Sequence, residues 1–580
     1  MIRKLSIVLM LLVFAIGIWT GFQQMRPPSP PSASSDDYPA FQQMLANLKA
    51  MTAAPHPAGS KELDDVRNHL LAQIRAMGLE ATVDRELYTA ADITASNRDQ
   101  AVVQRKERNV PDKSPSAMPK GEVRLEIEPE RLDDLVLNNI WVKLDAPATD
   151  RGILMLAHYD SKKNAPGAAD DMVSVCVLLE VLRKQANNPD LKADLYVLFT
   201  DGEEESALGA KAFVKSHPEL QGKIDLVMNF DARGNRGGLL MFETSTPNFD
   251  LLRQFQSASL HPISYSFLTG LYRKMPNGTD LTTFLDAGYP GLNFAVAEGV
   301  EHYHRPTDNF ENLNRGTAYH FLQTALAMAD YGAQGLFQVS PSNRNSVFFT
   351  LLPGRLVIMS DLTAYFLSAL AVLASLYWLM AQIRLGKVSL RQIAIGTGWL
   401  AGTMGAASLL SWGIVSLLTQ MMPLGKTANH DPVFLWTALA SGLGALAVLI
   451  LRMRNQSLAE ALASMLLVQL LLVIGSTIFF HEISYLFTLS ALGILIVAVS
   501  DRYPIGRILA STVLGAGIWL LYVPVCWLIY VMFMLPAIPA VVAASVIPIS
   551  ILAAFFASPY RLSAVKPTAP DIENRGIRQG

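Results

Sequence analysis

Apolar residues in this chain come in two kinds of block, short ones in its first half and long ones in its second. The runs "GILMLA", "ADLYVLFT", "DLVMNF", "GLLMFE" and "GLNFAV" have the length and β-branched or aromatic content of buried strands. Between them lie stretches with helical periodicity, such as 171–184 and 207–215. This alternation predicts an α/β domain over 38–340, with a mainly parallel mixed sheet flanked by helices. The stretch 97–121, charged, proline-bearing and without apolar periodicity, is expected to be a mobile excursion from that pattern.

Past residue 356 the pattern changes. Seven apolar runs follow, near 358–380, 394–419, 433–451, 461–480, 483–499, 508–531 and 536–556, and each is long enough for a membrane helix. They predict an all-α polytopic membrane domain over 356–560, followed by a cytoplasmic tail over 561–580. An earlier run, 5–22, follows Arg3 and Lys4 and has no small-x-small cleavage site after it. It is read as an N-terminal membrane anchor over 1–25 rather than a cleaved signal. The Pro/Ser-rich segment 26–37 is a linker, since its prolines hold it extended and it has little apolar surface to bury. Arg384, Lys387, Arg391, Arg452, Arg454, Arg502, Arg507 and Arg561 fall in alternate connections of the membrane region, whereas the connections between hold one Lys. Cytoplasmic loops carry the excess of Lys and Arg. The α/β domain is therefore expected on the opposite side of the membrane.

Composition agrees with a membrane partner: 51% of the 580 residues are hydrophobic, and the mean hydropathy is +0.28. A net charge of −2 and the lack of a glycine-rich phosphate loop exclude nucleic acid as a partner. Cys176 and Cys526 lie in separate apolar runs and suit neither a disulfide nor a metal site. The oligomeric state is not legible.

The chemistry concentrates where the strands end. His158 and Asp160 close the first strand run, Glu203 and Glu204 follow the second, Asp231 follows the third, and His304 comes shortly after the last. In open α/β sheets ligands gather at the carboxyl ends of strands. Imidazole and carboxylate groups converging there are the donors of a divalent metal site. Two ions fit this number of donors better than one, and Asp170 has two oxygens with which to bridge ions roughly 3.5 to 4 Å apart.

These residues fall in a pattern that resembles the M28 zinc aminopeptidases: His158-Tyr159-Asp160-Ser161, Pro166-Gly167-Ala168-Ala169-Asp170-Asp171, Gly202-Glu203-Glu204, Asn229-Phe230-Asp231 and Tyr303-His304. The likeness extends upstream through "PHPAGSKELDDVRNHLLAQIRAMGLEATV", and the membrane spans are similar to those of the membrane-bound subgroup, which includes endoplasmic-reticulum and vacuolar metallopeptidases. The resemblance implies two Zn²⁺ ions, one on His158 and Asp231, the other on Glu204 and His304, with Asp170 between them. Asp160 would accept the outward imidazole proton of His158, Glu203 would act as general base, and Tyr303 would donate to the oxyanion. The sequence departs from the family in reading "MVSVCVLL" after Asp171 where a Ser-Gly is usual, and in having Ser206 for a common glycine and Ala-Arg-Gly after Asp231. No ligand is lost by these changes.

The expected function is thus a membrane-anchored di-zinc aminopeptidase that removes amino-terminal residues of peptides outside the cytoplasm. Alternatives are a carboxypeptidase or glutaminyl cyclase-like zinc hydrolase, a catalytically silent membrane scaffold, and a transporter with an accessory domain. Absence of disulfides favours a bacterial inner membrane with a periplasmic domain, the alternative being a lumenal domain of the endoplasmic reticulum or vacuole; the triplet Asn277-Gly278-Thr279 is a glycosylation sequon. Glu243, ending "GLLMFE", is the first candidate for the acid that holds a substrate ammonium, with Asp280 second. His261, His302 and His320 read as structural or exposed, Asp280 and Asp308 as loop or helix-capping acids, and His430, His481 and Glu482 as solvated outer-loop residues.

Overall fold

The computed structural model describes residues 2–93, 134–275, 278–338, 342–421, 429–454, 456–500 and 503–557. The 97–121 excursion, Asn277 of the sequon and the 561–580 tail lie outside the described residues.

Seven strands make one sheet: β1 (Thr82–Tyr88), β2 (Leu135–Leu144), β3 (Gly152–His158), β4 (Asp194–Thr200), β5 (Ile224–Ala232), β6 (Leu240–Thr244) and β7 (Gly291–Val296). Their order is β1-β2-β4-β3-β5-β7-β6. The four strands β4, β3, β5 and β7 run parallel, whereas β1, β2 and β6 are antiparallel to their neighbours. The mixed sheet expected from the apolar runs is present, with its parallel strands at the centre.

Helices cover both faces. After α1 (Ile2–Gln23), which lies apart from the sheet, the helices of this domain are α2 (Tyr38–Met51), α3 (Lys61–Ala76), α4 (Val173–Gln185), α5 (Leu208–Ser216), α6 (Phe249–Ala258), α7 (Ser266–Tyr272), α8 (Asp280–Asp286) and α9 (Arg315–Ala333). Strand β3 is buried along its whole length, and its side chains alternate between two cores. Ile153, Met155 and Ala157 join the core that holds α2, α3, α4 and α9. Leu154 and Leu156 join the one under α5 and α8. Burial on both faces explains why the sequence there is a continuous apolar run rather than an alternating one. The same holds for β4, and α4 is buried on nearly every side because it lies between α2, α9 and the sheet.

A hairpin, β8 (Ser346–Leu352) and β9 (Arg355–Ser360), links this domain to the membrane region. Strand β8 lies between the two expected domains, whereas β9 takes up the first residues of the region expected to be all-α, which begins as a helix only at Asp361. Then come α10 (Asp361–Arg384), α11 (Leu390–Met421), α12 (Asp431–Met453), α13 (Leu458–Phe479), α14 (Ser484–Ser500), α15 (Pro504–Phe533) and α16 (Ile538–Ala557). These seven are long and apolar enough to cross a membrane, matching the seven runs in the sequence and making this a membrane protein. A single 3-10 turn, His481–Ile483, divides α13 from α14.

The N-terminal helix packs beside α15, with Gln24 Nε2 donating to the Leu520 carbonyl at 3.0 Å. The linker that follows is pinned at both ends: the Gly238 amide donates to the Met25 carbonyl at 2.9 Å, and the Tyr319 hydroxyl to Asp37 at 2.7 Å.

Candidate metal centre

Four of the five proposed ligands stand at or beyond the end of a strand. β3 ends on His158, β5 carries Asp231 one residue before its end, Glu203 and Glu204 follow β4, and His304 follows a short turn, Val300–His302, beyond β7. Asp170 arrives from the start of the apolar helix: Gly167, at φ +66°, turns the chain so that residues 168–172 form a wide turn ahead of α4. A Cβ at Gly167 would lie 2.7 Å from the Asp170 carbonyl, so the turn needs glycine.

The structure brings five of the eight residues singled out in the sequence into one cluster. His158 Nε2 is 3.2 Å from Asp170 Oδ1. His304 Nε2 is 3.2 Å from both Asp170 Oδ2 and Glu204 Oε2. Two triads result, His158–Asp170–Asp231 and Asp170–Glu204–His304, each with its donor atoms within 4.8 Å of one another, and Asp170 belongs to both. Glu203 belongs to neither triad.

Charge in this cluster is unbalanced. Burial opposes protonation of His304, yet Glu204 and Asp170 push it up to about 10. His158 is likewise raised well above its ordinary range, against burial, by Asp160 and Asp170. Burial, then the charge of Asp170, holds Asp231 up to about 7. Glu203 is raised well above the carboxylate range by burial and by Asp231, Asp280 and Glu204, with His158 opposing. Asp170 Oδ2, Glu204 Oε1 and His304 Nε2 are buried without a hydrogen-bond partner among the described protein atoms. Buried carboxylates crowded in this way are costly unless a cation neutralises them. Oxygen and imidazole donors with unpartnered atoms facing inward therefore fit a divalent metal, with His158, Asp170 and Asp231 able to hold one ion and Asp170, Glu204 and His304 a second.

The surrounding residues differ from expectation in four places. The outward His158 nitrogen, Nδ1, lies 3.0 Å from the backbone carbonyl of Asp160, whereas the Asp160 carboxylate is farther, at 3.5 Å. Besides pairing with His158, that carboxylate accepts from the amides of Glu203 at 3.0 Å and Glu204 at 3.2 Å, fixing the turn that presents both acids. Asp308 caps no helix, since α9 starts later and is capped by Asn314. It is buried and accepts from the amides of Ala169 at 2.8 Å and Asp170 at 3.2 Å, so it holds the Asp170 turn from behind. Asp280 begins α8, but Thr279 caps that helix, and the Asp280 carboxylate is buried against the Thr200 hydroxyl.

Glu243 is the fourth. Because β6 is antiparallel, its carboxyl end points away from the ligand edge, and Glu243 sits opposite Asn293 within the sheet. Asn293 donates to it at 2.9 Å, and burial raises its carboxyl. Tyr303 stacks on His304 with ring centroids 3.7 Å apart. Burial and the charges of Asp170, Glu204, Asp231 and Glu203 raise its hydroxyl well above the usual range.

Two acids that carried no role in the sequence reading now have one in the geometry. Asp171 accepts from the His158 amide at 3.3 Å and from the Ser174 hydroxyl, tying β3 to α4. Asp201 accepts from the Asn138 amide at 2.8 Å, and burial lifts it to about 8. A pair of adjacent acids, Asp170-Asp171, was the available signal for the first; nothing in the sequence distinguishes the second. Of the histidines read as structural, His320 is buried, with the Leu239 amide donating to Nδ1 at 3.0 Å. His430 is not a solvated loop residue; it is 6% exposed, beside the first residue of α12.

Residues 139–329 match the family described as Peptidase family M28. Among curated proteins the chain is similar to endoplasmic reticulum metallopeptidase 1 of Rattus norvegicus, 32% identical over 230 residues, covering 38% of this chain and 25% of that protein. It is also similar to the vacuolar membrane protease of Yarrowia lipolytica, 26% identical over 304 residues, covering 51% of this chain and 28% of that one. The match thus spans about a quarter of each relative's length. Among solved structures, an aminopeptidase from Aneurinibacillus sp. strain AM-1 aligns at a TM-score of 0.38 and 17% identity, over 52% of this chain and 96% of that one. All five clustered residues lie inside the matched segment, and this chain carries a peptidase domain of family M28.

Proposed function

We propose that this protein is a membrane-bound aminopeptidase holding two zinc ions, with its peptidase domain on the side of the membrane opposite the cytoplasm. One observation carries the reading: Asp170 is shared by two three-residue donor groups, while Glu203, beside the donor Glu204, stays outside both. His158 and Asp231 would hold one ion and Glu204 and His304 the other, with Asp170 touching both. Zinc bound there supplies electrophilic polarisation of the scissile carbonyl and makes water acidic enough to react near neutral pH. The Glu203 carboxylate takes the proton of the attacking water and later returns it to the leaving amine. Asp160 holds Glu203 in place by accepting its amide hydrogen. The Tyr303 hydroxyl donates to the carbonyl oxygen as negative charge builds there.

Preference for a free amino terminus follows from charge. Asp160, Asp170, Glu203, Glu204, Asp231 and Asp280 are gathered at the site, and two divalent ions leave negative charge over for a substrate ammonium. The names of the relatives, which speak of the endoplasmic reticulum and of the vacuolar membrane, together with the seven apolar helices, support a membrane-bound peptidase and give no support to the bacterial inner membrane. The division into anchor (1–25), linker (26–37), peptidase domain (38–340), membrane domain (356–560) and tail (561–580) belongs to the same proposal.

The test is Glu203→Gln in the full chain. Zinc content should stay at the wild-type level while turnover falls roughly 10² to 10⁴-fold, the usual worth of a general base. Zinc lost in proportion to activity would make Glu203 a ligand and overturn the assignment.

A further inference from the structure

The loop that carries His304 is fastened to the membrane helices. Asp431 is the first residue of α12, and its Oδ2 accepts from Arg236 at 2.8 Å. The other arm of the same guanidinium donates to Glu301 at 2.6 Å, three residues before His304. Tyr530, near the end of α15, donates its hydroxyl to the remaining Asp431 oxygen at 3.0 Å. One helical turn earlier, the Trp527 indole donates to Glu298 at 3.0 Å. Phe434 of α12 stacks on Tyr530 at 4.1 Å between ring centroids, holding the two helix ends together.

The loop has little freedom to slip past these anchors. The Asn235 and Arg236 amides both donate to the Glu298 carbonyl, at 3.0 and 3.1 Å. Gly299, at φ +85°, lies so close to Asn235 that a Cβ would stand 2.1 Å from its side-chain oxygen. Arg236 also follows Asp231 by five residues, in the segment that leaves the end of β5 at Ala232. One guanidinium thus ties the segment after Asp231 to the segment before His304, and both to α12.

An isolated half-exposed ion pair contributes little, about 0 to 1 kcal/mol. This one is different in kind, because the planar guanidinium fork is engaged on both arms and the Glu301 side chain is only 8% exposed. We propose that the membrane helices, through Asp431, Tyr530 and Trp527, position the His304 loop, so that Arg236 and Asp431 are positioning residues for the peptidase site. The inference rests on the functional reading above for the role of His304, and it gives the membrane domain a task beyond anchorage.

The experiment compares backbone hydrogen exchange in the full chain, in lipid nanodiscs and without substrate, for wild type, Asp431→Asn, Asp431→Glu and Trp527→Phe. Exchange across 298–305 should quicken about tenfold in Asp431→Asn and Trp527→Phe, the scale of one charge-assisted hydrogen bond. Strand β3 should stay unchanged, and Asp431→Glu should recover much of the protection. On a good peptide substrate the same two variants should lose kcat with KM little altered. Unchanged exchange at 298–305 in both variants would overturn the proposal. Faster exchange throughout the domain would do the same, marking the contacts as a general brace. Exchange is read without turnover, so a wild type that cleaves no peptide would sink the functional reading while leaving this comparison decisive.

Discussion

At the scale of single residues, burial decides which groups titrate. His320 takes a hydrogen bond from the Leu239 amide on Nδ1, so its proton sits on Nε2, 3.0 Å from the His261 carbonyl. Burial lowers it to about 4, with the His261 carbonyl opposing and the His261 ring adding slightly to the lowering. The unfolded chain, at the ordinary value of 6.5, binds more protons between those limits. Stability is therefore complete above pH about 6.5 and falls as pH drops toward 4, by an amount on the order of 3 kcal/mol. Thermal midpoints of the full chain in detergent should show this loss between pH 7 and 4.5, and His320→Gln should show a flatter profile; equal slopes in the two proteins would refute it. Four of the five candidate donors stand out in the sequence because they lie at or beyond a strand run, where chain direction alone brings them to one edge of the sheet; Asp170 stands out only by the turn ahead of α4. The further partners of Asp308 and Asp160 are not legible for a physical reason: a loop carboxylate's partner depends on the path of the loop. No spacing rule says that Asp308 turns back onto the Ala169 and Asp170 amides.

At the scale of elements, continuous apolar runs announced the central strands, because burial on both faces removes the alternation that marks a half-exposed strand. Strand direction was not announced. A run such as "GLLMFE" has the same composition whichever way it points, and the antiparallel course of β6 puts Glu243 against Asn293 inside the sheet rather than at the ligand edge. The membrane helices were found one by one from length and hydropathy. Their contacts with the peptidase domain were not, since Asp431 and Trp527 meet residues 195 and 229 positions away. The hairpin of β8 and β9 escaped notice because each strand is short and lies against an abrupt rise in hydropathy.

At the scale of the whole molecule, the alternation of Lys and Arg among the connections predicts which side each faces. Reporter fusions at Pro115 and Lys426 should read as external, and fusions at Lys387, Arg454 and Gly580 as cytoplasmic; an external Gly580 would contradict the eight-span arrangement that counts α1 as a span. An outward domain fits the fastening of the His304 loop to the ends of α12 and α15, as both ends then lie on the outer surface beside it. The central claim is that residual negative charge at a two-metal site selects peptides by their free amino terminus. It is tested most directly by presenting the purified full-length protein with one good peptide in three forms, unmodified, amino-terminally acetylated and carboxyl-terminally amidated, and following the products by mass spectrometry. The account predicts stepwise release from the amino end of the unmodified and amidated forms and no cleavage of the acetylated one, because losing a charge pair at a buried site costs several kcal/mol. Comparable cleavage of the acetylated peptide, or release of carboxyl-terminal residues first, would contradict it.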